Sequence, residues 1–257
     1  MKPLRLLCVA CDVLARPVYL CAAHSPHTVD VTLVRFGLHS TPLNLREILQ
    51  ARIEAADEDG IYDAVVLAYG LCGKATHGLQ AGSVPLVVPR AHDCITLFLG
   101  GRERFDRTFA DCPGTYWFVK DYIERGDDEE LPLSIGAFSA EPSETLRAEY
   151  VEKYGEDNAD YLMDVMGAWS AHYERAAYIE LGLGEGESVA ERARQTAEHR
   201  GWRFEQMAGD LVLIRRLLAG DWADDFLVVP PGGMVEMSGD TDIITTRSYE
   251  NGPGESP

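Results

Sequence analysis

Asp63-Ala64-Val65-Val66-Leu67-Ala68-Tyr69-Gly70-Leu71-Cys72-Gly73 is the stretch whose reading decides the fold. It is a short apolar run without alternation, ended by glycines. That is the pattern of a strand covered on both faces of a parallel sheet, and it is too short for a buried helix. Leu4 to Ala10 upstream and Val84 to Pro89 downstream are runs of the same kind, and Val29 to Phe36 and Thr115 to Val119 complete a set of five strands. The segments between them have helical character: residues 13–22, then a helix through Ala56 that Thr41 caps and Pro42 opens, then Ala91 to Leu99. Strand–helix alternation predicts an α/β fold, a Rossmann-like open parallel sheet with helices on both faces.

The second half is expected to be more helical. Residues 143–153 and 157–176 have helical spacing, with Leu162, Val165, Met166, Trp169 and Tyr173 on one stripe. Ser188 with Glu191 forms a capping-box pattern, and Gly201 closes that helix. A strand at Trp202–Met207, a helix from Asp210 to Gly220 and a strand at Phe226–Val229 then make a small βαβ unit. From Gly232 onward the chain is rich in Gly, Ser, Asp and Thr and is expected to be a mobile tail. The expected division is 1–125, 126–231 and 232–257.

The 257 residues suffice for one large core or two small ones, and 46% are hydrophobic, as in ordinary globular proteins. A formal net charge of −19 repels phosphate backbones and anionic lipid, which argues against nucleic acid and membrane as partners. No apolar run reaches the roughly 18–20 residues of a membrane span. The N-terminal apolar stretch is short and carries Arg5, so it reads as the first strand and not as a signal peptide. The expected location is cytoplasmic, where thiols stay reduced. Six cysteines there point to metal ligation, catalysis or burial before disulfides.

Ligands of open α/β sheets bind outside the carboxyl ends of the strands. The first strand ends in Cys11-Asp12, the third in Tyr69-Gly70-Leu71-Cys72, and the fourth in Pro89-Arg90-Ala91-His92-Asp93-Cys94. His39 holds the corresponding place after the second strand. Thiolate and imidazole suit zinc, iron–sulfur clusters or copper. Taken singly, each cysteine reads as a small hydrophobe; together they make Cys11, Cys72 and Cys94 the expected metal ligands. His39 or His92 would be fourth ligand or acid/base, with Asp93 orienting a histidine. Cys94 opens a helix, where a thiolate is favoured. Arg90 and Arg102, with Arg104 nearby and Tyr69 at the strand end, are the expected contacts to an anionic substrate. Cys8-x-x-Cys11, Cys21 with His24 and His27, Cys112, and the Gly182–Gly186 loop rank lower. Cys8 lies inside a strand, Cys21 at the opposite sheet edge, Cys112 in a turn, and the loop lacks the dinucleotide spacing.

Tyr69-Gly70-Leu71-Cys72-Gly73, Pro89-Arg90-Ala91-His92-Asp93-Cys94-Ile95 and Gly100-Gly101-Arg102-Glu103-Arg104-Phe105 resemble the bacterial and archaeal domain-of-unknown-function 1638 family. Ala10-Cys11-Asp12-Val13-Leu14 and Gly37-Leu38-His39-Ser40-Thr41-Pro42 look like its N-terminal motifs, with Asp12 in place of an expected glycine and Gly101 in place of a common serine. Gly114-Thr115-Tyr116-Trp117 and Tyr154-Gly155-Glu156-Asp157-Asn158-Ala159 fit as well, and the resemblance runs to about Pro231. It implies one-carbon chemistry beside corrinoid-dependent methyl transfer. The resulting expectation is a metal-dependent enzyme, a transferase or lyase, acting on a small anionic molecule. Its rival is a non-catalytic accessory protein that binds a metal or corrinoid and serves a partner methyltransferase.

Overall fold

The computed structural model describes residues 2–125, 147–148, 151–152, 155–156, 159–160, 172–239 and 241–247. The chain divides into two units, one of residues 1–102 with 210–257 and one of residues 103–209. The dividing points therefore differ from the expected 125/126 and 231/232. The reason is pairing: the fifth strand joins later strands and not the first four.

In the first unit, β1 (Arg5–Cys11), β2 (Thr28–Val34), β3 (Ala64–Ala68) and β4 (Leu86–Pro89) run parallel in the order β2-β1-β3-β4. The strand β8 (Phe226–Val229) closes the edge antiparallel to β4. The fold class is thus as expected, an α/β protein with a mostly parallel central sheet. Between β1 and β2 lies α1 (Ala15–Ala23), and between β2 and β3 lies α2 (Pro42–Asp59). Leu45, Leu49, Ile53 and Ala56 of α2 pack on Leu7 and Val9 of β1, Val65 and Leu67 of β3, and Leu86 and Val88 of β4. Strand residues alternate faces, so Cys8 lies on the face opposite to Cys11. The two cannot act as a redox pair. Burial pushes the Cys8 thiol up to about 12.

The chain leaves β1 toward β2 on one side and returns past it to β3 on the other. The crevice between the ends of β1 and β3 is therefore the point where strand order reverses, the usual ligand position of such sheets.

In the second unit β5 (Thr115–Val119), β6 (Arg175–Glu180) and β7 (Arg203–Ala208) form a parallel sheet. The helix α6 (Glu187–Arg200) crosses from β6 to β7 and ends at Gly201 with φ +69. This is the βαβ unit, so the expected one is corrected: its first strand became the second strand here, and Phe226–Val229 joined the other sheet. The end of the expected 157–176 helix is corrected too, because Arg175 and Ala176 begin a buried strand; most of that helix and all of the 143–146 stretch lie outside the described residues. Arg175, 1% exposed, anchors the start of β6 through Asp111 at 2.8 Å, Glu205 at 3.0 Å and the Thr115 hydroxyl at 2.9 Å. Gly186, not Ser188, caps α6.

The expected mobile tail is corrected over its described part. Met234–Met237 (β9) and Ile244–Arg247 (β10) pair antiparallel, and Val235 exchanges backbone hydrogen bonds with Gly78 and Leu79. Val235, Ile243 and Ile244 are buried in the core of the first unit. Apolar residues spaced through a polar segment are enough for a hairpin when a larger sheet offers the other half of the core. Residues 248–257 lie outside the described residues. If the hairpin is part of the core, Ile244→Ala lowers unfolding stability by about 2–5 kcal/mol in denaturant titration. A mobile tail would leave the midpoint unchanged.

Candidate functional site

The site is assembled by backbone before side chains. Ala10 pairs with Ala68, so Cys11 and Tyr69 leave β1 and β3 side by side. Past the strands, the β3 and β4 loops continue to pair: Leu71 N–H donates to Ala91 O at 2.8 Å, and Cys72 N–H donates to His92 O at 3.0 Å. Gly70 lets this happen. A Cβ there would stand 2.6 Å from Asp93 N and 2.7 Å from its Cα, inside van der Waals contact. Cys72, Gly73 and Lys74 then all take positive φ, 45, 66 and 76, and turn the chain back sharply. Gly73 rests on the start of α2, its Cβ direction 3.2 Å from Pro42 Cγ and 3.5 Å from His39 O. All four expected strand ends are thereby brought into one neighbourhood.

Asp93 caps α3 (Cys94–Leu99), its Oδ1 accepting from Ile95 N–H at 3.0 Å. Burial pushes its carboxyl up to about 6, against the pull of the Thr96 and Ile95 N–H groups. Burial also raises the Cys72 thiol, with Cys11 and Asp93 adding to the effect. Cys94 is held well above the usual thiol range by burial, then by Asp93, Cys72 and Cys11. The three sulfurs and Asp93 are thus close enough to act on one another. At Cys94, burial and the neighbouring carboxyl oppose the helix start, which by itself favours thiolate. Tyr69 is 2% exposed, and its hydroxyl is buried beside Cys11. Burial first, then Cys11 and Cys72, hold the phenol well above its ordinary range. The Thr96 hydroxyl is likewise buried and unpartnered.

The groups that act on Cys72 and Cys94 are Asp93 and the neighbouring thiols. His39 is half-buried, its ring 5.6 Å from that of Phe36. His92 is exposed and contributes its carbonyl. Among the described residues, no three His, Cys, Asp or Glu side chains form a group ready to hold a metal ion.

The expected anion contacts are engaged elsewhere. Arg90 Nη1 donates to Asp242 O at 3.1 Å and to Ile244 O, and lies 3.8 Å from the Asp242 carboxylate. Arg102 Nη1 donates to Thr241 O and lies 3.7 Å from the same carboxylate. Both grip the turn between β9 and β10, a segment that polarity alone had marked as tail. Arg104 donates to Ala208 O. Cys21 and Cys112 are buried, and His27 Nδ1 accepts from Leu4 N–H at 3.3 Å, which is structural. The Gly182–Gly186 loop follows the buried strand β6. It is filled from within: Glu180 accepts from Gly182 N–H at 2.7 Å and from the Tyr178 hydroxyl at 2.8 Å.

The fold and site define an open, mostly parallel α/β protein with a thiol-rich crevice at its topological switch point. A model of the family described as "Protein of unknown function (DUF1638)" matches residues 33–218, roughly seven tenths of the chain, and the chain belongs to that family. The match includes Cys72 and Cys94 and begins after Cys11. No curated protein and no solved structure matches the chain.

Two measurements check this geometry. Gly70→Ala forces the paired loops apart and lowers stability by about 1–3 kcal/mol, whereas Gly239→Ala, with open space around its Cβ, does not. Asp93→Asn keeps the helix cap but removes an ionisation that the fold resists. A carboxyl raised to about 6 costs stability as pH rises from 4 through 6. In chelator, the Asn variant therefore melts higher than the parent at pH 8, and the gap closes as pH falls toward 4. A constant gap would show that Asp93 is not raised.

Proposed function

We propose that the chain is a metal-dependent small-molecule enzyme in which Cys11, Cys72 and Cys94 ligate a soft or borderline cation, zinc or the iron of a cluster. The observation that carries this reading is the charge character of the crevice. Three thiols and a carboxyl stand together at a switch point, and the side-chain charges that act on Cys72 and Cys94 are those of Asp93 and of the other thiols. A cation reverses the balance that keeps the thiols protonated, and its binding expels their protons. Ligation would require rotation of the thiols into a coordinating group.

An unassisted thiol nucleophile fits less well, since burial and Asp93 disfavour thiolate. Three protein ligands leave a coordination position for substrate or water. Asp93, with a carboxyl near 6, is suited to take or give a proton close to neutral pH. A closed four-ligand site would instead favour the accessory protein serving a methyltransferase.

Anaerobically purified protein is expected to carry metal. Cys72→Ser and Cys94→Ser should lose most of it, because one ligand of three is gone, while Cys21→Ser and Cys112→Ser keep it. Metal per chain by elemental analysis, on variants folded by circular dichroism, decides. Equal content in the parent and the Cys72 and Cys94 variants sinks the reading.

A further inference from the structure

With Arg90 and Arg102 committed to the β9–β10 turn, the cationic groups near the crevice that lack a carboxylate are elsewhere. Arg46 on α2, one helical turn past Pro42, reaches the loop that follows Cys72. Its Nη2 donates to Lys74 O at 2.9 Å, and the same carbonyl accepts from His77 N–H at 3.2 Å. Gly78, with φ +85, lies against the guanidinium, its Cβ direction 3.7 Å from Arg46 Nη1. The Lys74 carbonyl and Gly78 therefore hold the end of the Arg46 side chain, and Thr76 and His77 lie in the segment between them. Three polar atoms of this group are buried without a hydrogen-bond partner among the described residues: Arg46 Nε, Thr76 Oγ1 and His77 Nδ1. Thr76 is 0% exposed.

The chain carries 42 acidic and 23 basic residues, so carboxylates are not scarce. Arg5, Arg90, Arg102, Arg175, Arg203 and Arg216 each lie within 4 Å of one. Arg46 and Lys74 form no such pair among the described residues. A buried guanidinium donor with nothing to bind is costly, and an acceptor that supplies two oxygens in one plane would satisfy it.

We propose that Arg46, Lys74, Thr76 and His77 form an oxoanion subsite that takes the carboxylate or phosphate group of a small-molecule ligand. The guanidinium supplies the fork, Thr76 a hydroxyl, Lys74 charge, and His77 an imidazole that donates from Nδ1 in one tautomer and in the protonated ring. The left-handed turn at Cys72, Gly73 and Lys74 sets this subsite immediately beyond the thiol crevice in the chain. The subsite goes beyond the metal reading and does not rest on it.

Calorimetric titration of the full chain with inorganic phosphate and with succinate tests it, in chelator and at constant ionic strength set by chloride. The parent is expected to bind at least one probe saturably at one site per chain. Arg46→Lys keeps charge but loses the fork, and binding falls at least about tenfold. Thr76→Val separates ligand binding from folding: it removes an unsatisfied buried hydroxyl, so the variant melts no lower than the parent while its binding weakens. Arg104→Gln binds as the parent does. Tighter phosphate than succinate assigns a phosphorylated ligand, and the reverse a carboxylate; either upholds the subsite. No saturable binding by the parent, or parent-like binding in both the Arg46 and Thr76 variants, overturns it. Phosphate binding retained in a metal-free Cys94→Ser variant shows the subsite standing on its own. Metal retained with no anion binding removes the subsite and leaves the metal reading in place.

Discussion

The backbone of Gly70 lies against the backbone of Asp93, and much of the crevice depends on that approach. Strand pairing alone would let the β3 and β4 loops diverge once the ladder ends. Without a Cβ at residue 70 the two loops stay together, and Leu71 and Cys72 go on donating to Ala91 and His92. That continuation carries Cys72 toward Cys94 and holds Asp93 where it caps α3. A glycine is needed because two peptide planes in van der Waals contact leave no room for a side chain.

Two environments of opposite character follow from this turn. On one side, thiols and a carboxyl are crowded by burial, so each raises the cost of ionising the next. On the other, Arg46 Nε, His77 Nδ1 and the Thr76 hydroxyl are buried with no hydrogen-bond partner among the described residues. The first environment favours a cation and the second an anion. Their succession along residues 72 to 77 is what the proposed metal and anion sites would draw on, and a net charge of −19 says nothing of either.

The C-terminal hairpin shows how composition misleads about order. Residues 232–247 are polar on average, yet Val235, Ile243 and Ile244 are buried against Leu79, Leu227 and the α2 face of the sheet. Arg90 and Arg102 hold its turn by backbone carbonyls as well as by Asp242. Arginines beside a cleft are as easily spent on fastening a segment as on binding substrate. Only the position of the segment distinguishes the two.

The sequence by itself determined the central sheet. Ala64–Ala68 and Leu86–Pro89 are apolar on both faces, and no other structure buries such short runs so completely. With the strands given, their carboxyl ends and the cysteines beyond them were legible, because ligand position in these sheets is fixed by chain direction. What only the tertiary structure decided was everything set by long-range pairing. Thr115–Val119 is a good strand in either sheet, and its partners Arg175–Glu180 and Arg203–Ala208 chose for it. Whether Arg90 binds a substrate or a hairpin 150 residues away cannot be read locally. The upward push on the Cys94 thiol likewise comes from burial together with Asp93, Cys72 and Cys11, and a helix start in the sequence carries no record of that sum. The Arg46 cluster escaped notice for the same reason: its residues are separated by a helix and a strand, and their lack of carboxylate partners is a property of space and not of order along the chain.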